Sequence, residues 1–157
     1  FYAEITDIPR VFQWNYMHHS IIKKSCLDFD GVLCEDPCDQ DNDDGDRYKF
    51  FLLNARPLYI PNVTIHSIVT SRLEKYRQET ELWLRNHNIK YDNLIMLDLP
   101  DAKERQKLNI HARFKADVYK KDNDAILFIE SNDNQARDIA KFSGKACICL
   151  ETDSFYE

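Results

Sequence analysis

From Lys24 onward, short apolar runs alternate with longer charged stretches, and no other feature of the chain limits its fold so tightly. Strands that follow one another in parallel need a crossover long enough to hold a helix, so this alternation predicts a parallel sheet wrapped by helices. The strands are expected at 25–29, 65–70, 93–97, 125–130 and 146–150. Residues 74–87 carry Leu82, Trp83 and Leu84 among charges without Gly or Pro, which predicts a helix ending near Asn86–Asn88. Residues 101–108, preceded by Pro100, predict a second helix. A third is expected at 111–120, where Phe114, Val118 and Tyr119 recur at helical spacing. Residues 132–142 predict a fourth, closed by Gly144 just past its end.

The expected fold class is therefore α/β: a three-layer, Rossmann-like sandwich on a five-stranded, mainly parallel sheet. A chain of 157 residues, 43% of them hydrophobic, suits one domain with a real core, placed at 24–157. Residues 1–23 differ in composition. Phe1, Tyr2, Phe12, Trp14 and Tyr16 surround Pro9, Arg10 and the pair His18-His19 without a clean period, as in an aromatic arm or a linker from an upstream segment. Adjacent histidines on an extended chain face opposite sides, which argues against a two-His metal site. A first residue of Phe instead of Met fits a piece of a longer protein.

A net charge of −6 argues against a general nucleic-acid binder, which presents a basic face to phosphates. It does not oppose a small phosphorylated substrate, since a bound metal inverts the local field. The five cysteines lack the spacing of paired metal-ligand motifs, and Cys26, Cys147 and Cys149 lie in apolar runs. Buried free thiols are expected, and with them a cytoplasmic setting. No run approaches the ~18 apolar residues of a membrane span, and no charged-then-apolar leader is evident.

The chemistry concentrates at Cys26-Leu27-Asp28-Phe29-Asp30-Gly31-Val32-Leu33-Cys34. Side chains two apart on a strand share a face, so Asp28 and Asp30 leave the strand end together, separated by ~7 Å of backbone. Two such anions repel unless a proton or a hard cation joins them, and Mg²⁺ favours few carboxylates with retained waters. Gly31 then allows a sharp turn. In an open α/β sheet, ligands bind at this carboxyl end of the strands.

The later strand ends are polar as well. Ile68-Val69 runs into Thr70-Ser71-Arg72, offering hydroxyls, loop amides and a guanidinium. Arg72 suits either a second phosphate or a pairing with Glu74, and the pairing is favoured. The 125–130 run leads into Glu130-Ser131-Asn132-Asp133, whose carboxylate oxygens suit a hard metal, with a helix-capping role for Glu130 as the plainer alternative. The acidic stretch 35–46 resembles a calcium loop only superficially. With Gly45 as sixth position the first ligand would be Gln40 and the twelfth Phe51, which cannot supply the bidentate carboxylate, so a solvated loop is expected.

An Asp-x-Asp-Gly-Val strand end, a hydroxyl after a second apolar strand, a lysine, and an acid after a later strand together resemble the haloacid dehalogenase-like superfamily of phosphohydrolases. The resemblance covers about 24–150 and is most specific in "LDFDGVL". It implies that Asp28 is nucleophile and metal ligand, that Asp30 is general acid and then base and lends its backbone carbonyl to the metal, and that Thr70 holds the transferring phosphoryl group with Ser71 as a further donor. Mg²⁺ is the implied cofactor, with Glu130 completing the metal site. Lys115 is the favoured lysine because Phe114 and Val118 place it beside a buried stripe, with Lys103, Lys120 and Lys121 as competitors. The amides after Gly31 would add fixed positive polarity. Glu130-Ser131 departs from the usual paired aspartates or Gly-Asp start.

No large cap is expected. The interval from Gly31 to Ile65 holds little beyond the acidic loop and the segment Tyr48 to Ile60, and a helix, a strand and another helix use up the interval from Arg72 to Phe114. An open site suits a bulky phosphoester or a nucleotide. "IVTSRLEKYR" and "LFIESNDNQARDIA" are also similar to a module fused behind phosphoribosyltransferase-type domains, which implies an upstream domain of that kind. Three functions are compatible with these residues: a Mg²⁺-dependent phosphatase, a catalytically weak metal- or partner-binding module of the same fold, and a phosphotransferase.

Overall fold

The computed structural model describes residues 3–4, 11–12, 15–41, 45–108 and 110–157. Phe1, Tyr2 and Trp14 of the aromatic arm, and Asn42, Asp43 and Asp44 of the acidic loop, lie outside the described residues. A short antiparallel ribbon, β1 (Ala3–Glu4) with β2 (Val11–Phe12), precedes two 3-10 turns at Tyr16–His18 and Ser20–Lys24. The main body then runs β3 (Ser25–Leu27), α1 (Asp46–Asn54), β4 (Ile65–Leu73), α2 (Arg77–Asn86), β5 (Tyr91–Leu97), α3 (Ala102–Leu108), α4 (His111–Lys121), β6 (Leu127–Glu130), α5 (Asp133–Ser143), β7 (Cys147–Cys149) and β8 (Ser154–Tyr156).

The strand order is β5-β4-β3-β6-β7-β8, parallel throughout except for the antiparallel edge pair β7 and β8. The sheet thus has six strands instead of the expected five. The addition is three half-buried residues close behind β7, reached through Asp153 in a left-handed conformation, and it is too short to show a period. Helix α1 is also new. Its buried residues Tyr48, Phe51 and Leu52 fall at i, i+3 and i+4 but sit beside the exposed Phe50 and Leu53, which blur the stripe. Strand β4 extends past Thr70 to Leu73, with a register shift between those two residues.

Alternation along the central strands divides the core in two. Leu27, Ile68, Ile129 and Ile148 face α1 and α2, where they meet Leu52, Trp83 and Leu84. Cys26, Val69, Phe128 and Cys147 face Tyr119 of α4 and Ala136, Ile139 and Ala140 of α5. The result is a three-layer α/β sandwich without a large cap. Tyr16, Met17, Ile21 and Ile22 join the first cluster, so the chain just before β3 is packed into the domain. His19 Nδ1 accepts the Ile21 amide at 3.0 Å while His18 is exposed, so the adjacent histidines do point apart. All five cysteines are free, and only Cys38 is exposed. Among the described residues, no helix is long and apolar enough to cross a membrane.

Strand β3 is central. Its two neighbours, β4 and β6, come from crossovers that wind in opposite directions along the sheet, so the carboxyl ends of β3 and β6 flank the topological switch point.

Candidate functional site

The Asp28 amide donates to the Ile129 carbonyl at 2.9 Å, carrying the β3–β6 pairing one residue beyond β3. This sets Asp28 beside Glu130, the last residue of β6. Between their carboxylates lies the Lys115 ammonium, 2.7 Å from Asp28 Oδ2, 2.7 Å from Glu130 Oε2 and 2.9 Å from Gln135 Oε1. All three ionic groups are buried, Glu130 completely. Lys115 comes from α4 next to Ala116 on its buried face, whereas Lys103, Lys120 and Lys121 are exposed.

Glu130 also spends its second oxygen inside the protein. Oε1 accepts the amides of Ser131 at 3.0 Å and Asn132 at 3.2 Å. The cap of α5 is Asn132 Oδ1, which accepts the Gln135 amide at 3.1 Å, so Glu130 is not the capping residue.

After Asp28 the backbone turns through Gly31, whose amide donates to the Cys34 carbonyl at 2.7 Å. Gly31 has φ +74° and lies against Ser131; a Cβ there would meet Ser131 Oγ, stand 2.5 Å from Ser131 Cβ and 2.8 Å from Asp36 Oδ2. Gly31→Ala is therefore expected to cost about 1–3 kcal/mol through overpacking and backbone strain. Urea unfolding checks it, and an unchanged midpoint would contradict this close approach.

Asp30 turns away from Asp28 toward a different cation. Arg72 Nη2 lies 2.6 Å from Asp30 Oδ1, and Nε is 3.2 Å from both carboxylate oxygens. The Arg72 guanidinium is buried, stacks 3.7 Å from the centre of the Phe29 ring and donates to Cys34 Sγ at 3.3 Å. The expected Arg72–Glu74 pair is not formed; Glu74 binds Arg77 instead, at 2.5 and 2.9 Å. Nor does Arg72 reach the cleft. The strand continues through residue 72 and carries that side chain beneath the Asp30 turn.

The cleft itself, of about 640 Å³, opens over the carboxyl ends of β3, β4 and β6. Asp28, Asp30, Gly31, Thr70, Ser71, Lys115 and Glu130 all line it. Successive strand residues normally face opposite ways; the register shift after Thr70 allows Thr70 and Ser71 to border one space. Thr70 Oγ1 accepts the Arg72 amide at 3.2 Å and keeps its own proton to donate. Sequence reasoning missed Tyr48, Arg105, His111 and Gln135, which line the same cleft. Tyr48 and Gln135 lie on helical faces turned to the strand ends, and nothing in their spacing marks them.

Burial pushes the Asp28 carboxyl above the usual carboxylate range; Lys115 pulls it back, while Glu130 and Asp30 push it further up. Burial alone would lower Lys115, but Asp28 and Glu130 outweigh it and keep the ammonium charged. Asp36 is raised by burial and by the fields of Asp30 and Glu130. Burial, with Arg105 and Lys115 nearby, lowers His111 to about 4, so this ring is neutral at pH 7.

Comparison of the chain with protein-family models, with curated proteins and with solved structures yields no match. Among the described residues, no three His, Cys, Asp or Glu side chains already converge as a metal cage. A magnesium ion does not demand one, since it binds through one or two carboxylates and keeps several waters.

Proposed function

We propose that this protein is a Mg²⁺-dependent phosphohydrolase of the haloacid dehalogenase-like type, acting on a phosphomonoester through an aspartyl-phosphate. The observation that carries this reading is the shared ammonium: two buried carboxylates at adjacent strand ends face one lysine on the floor of an open cleft. A hard divalent cation fits the negative charge that one ammonium leaves on the Asp28 and Glu130 pair. Asp28 and the Asp30 carbonyl would hold it, with Glu130 or Asp36 reached through water. Its chemistry there would be to neutralise charge on a phosphoryl oxygen.

An Asp28 oxygen attacks phosphorus, and the bond from phosphorus to the leaving oxygen breaks. Asp30, oriented by Arg72, is the group that exchanges protons with the leaving oxygen and with the water that later splits the acyl phosphate. Thr70 donates to the transferring group. Leu58 and the half-exposed Tyr59 form an apolar rim on the open side, which suits a leaving group with an aromatic or apolar portion.

A second reading has its own support. Asp30 is clamped by Arg72, and Lys115 has an acceptor for each of its three protons, as befits a site that binds without turning over. Hydrolysis of an aryl phosphate that needs Mg²⁺, stops with chelator and is lost in Asp30→Ala would exclude the binding module. No turnover across a panel of phosphoesters would remove the enzymatic reading.

A further inference from the structure

A side-chain carboxamide carries an acceptor at one end and donors at the other, and on the wall of the cleft two of them are fixed the same way round. Gln135 Oε1 accepts from the Lys115 ammonium at 2.9 Å. An ammonium offers protons and no lone pair, so the atom that faces it is the oxygen and the Gln135 NH₂ group is turned the other way. Asn132 Oδ1 accepts the Gln135 backbone amide at 3.1 Å, which likewise turns the Asn132 NH₂ group outward. Asn132 precedes α5 and Gln135 lies three residues on, so the two share one side of its first turn, and both line the cleft. Neither NH₂ group has a hydrogen-bond partner among the described residues.

This edge of donors has a direction. It begins beside Lys115, which touches Asp28 on the buried floor, and ends at Asn132, which is exposed at the mouth. A phosphoryl group seated at Asp28 occupies the floor, so the outer donors meet the organic part of the ester. Two exposed acids, Asp36 and Glu151, border the same cleft, and the Glu151 amide donates to the Ser131 carbonyl at 3.3 Å, which keeps residue 151 beside Asn132. The cations that line the cleft do not offset them at the mouth: Lys115 is buried among its acceptors, and Arg105 is buried with Nη1 donating to the Ser71 carbonyl at 3.1 Å. A carboxylate on the ligand would meet like charge there, whereas an uncharged carbonyl would not.

We infer that Asn132 and Gln135 determine specificity by reading an uncharged carbonyl oxygen on the organic part of the substrate, so that the preferred ester carries an amide-like group beside its aromatic or apolar portion. The inference rests on the phosphohydrolase reading for the phosphate and goes beyond it in describing the rest of the molecule. Leu58 and Tyr59 supply apolar surface to the same cleft, and the carboxamides supply the donors that this surface lacks. Because both oxygens are held inside the protein, the donors are presented without a reorientation that binding would have to offset.

The test compares Mg²⁺-dependent hydrolysis of phenyl phosphate with that of its meta- and para-carbamoyl and carboxyl derivatives, and in parallel the calorimetric binding of the corresponding phosphonates, which have no ester bond to break. Wild type is expected to favour a carbamoyl ester over phenyl phosphate roughly 10-fold in kcat/KM and to disfavour the carboxyl esters. Asn132→Asp keeps an oxygen to cap α5 and Gln135→Glu keeps one for Lys115, and each loses its NH₂ donors. Each should cut the carbamoyl preference to about 3-fold or less, while the added charge slows phenyl and carbamoyl esters alike and cancels in the ratio. Asn132→Ser, an uncharged cap, carries the test if an acidic variant does not fold. A wild-type preference below about 2-fold for every carbamoyl ester, a preference unchanged in the folded variants, or a preference for the carboxyl esters would overturn the inference and leave the hydrolase standing. Selective binding of a carbamoyl phosphonate, lost in the variants, by a protein that hydrolyses none of the esters would uphold the donor edge and reject the hydrolase. A protein that neither binds nor hydrolyses any of these probes would overturn both.

Discussion

Lys115→Met is expected to lower the free energy of unfolding by about 3–5 kcal/mol at neutral pH, the usual penalty for leaving buried charges unmatched. Methionine nearly preserves the volume, so the loss reports charge and not a cavity. It strands Asp28 and Glu130 side by side with side-chain exposures of 8% and 0%. The Asp28 carboxyl, already raised by burial, loses the ammonium that pulled it back and holds its proton more tightly folded than unfolded. A folded-state pKa above the unfolded value gives stability that is present at low pH and lost as pH rises through the folded value. The deficit of the variant should therefore shrink from pH 8 toward pH 5. Urea unfolding of both proteins across that range checks it. A neutral-pH loss below about 1 kcal/mol, of the size of a surface pair, would mean that the three groups are not buried together.

Asp28→Asn is expected to have the opposite profile, with turnover of an aryl phosphate reduced roughly 10³-fold or more and the fold retained. Asparagine keeps the shape, and Lys115 still pairs one-to-one with Glu130, so no buried charge is orphaned. The amide oxygen is too weak a nucleophile to form an acyl phosphate. Steady-state kinetics with Mg²⁺ and a thermal melt on the same preparation separate the two effects. Activity above a tenth of wild type in a folded Asp28→Asn variant would exclude Asp28 as nucleophile.

Much of the architecture was legible because long-range order left a local trace. The centres of two such runs, Ile68-Val69 and Leu127-Phe128-Ile129, are buried on both faces and hence apolar without a break, the mark of central parallel strands. Gly144 could be read as a terminator because only a left-handed residue closes α5 there, and its φ is +69°. Strand β8 gave no comparable trace, since three half-buried residues owe their conformation to pairing with β7 and not to their own pattern. In the site, Asp28 and Glu130 announced themselves by ending apolar runs. The partners of Arg72 did not, because Glu74 is nearer in sequence while the register shift in β4 carries the side chain to an acid 42 residues upstream. Arg105 was invisible for a related reason. An arginine in a charged helix looks solvated until the neighbouring strand end supplies a carbonyl for it.

The central placement of β3 also sets the order in which this molecule can be completed. One neighbour of β3, β4, follows after an interval whose described residues hold α1 alone, while the other, β6, comes from the last third of the chain. During synthesis the early aspartate must therefore stay hydrated while some hundred residues are added, because both its ammonium and its fellow acid emerge late. Charge matching at the heart of the cleft is thus a closing event of folding, and any truncation that removes β6 leaves the first half with an acid it cannot bury.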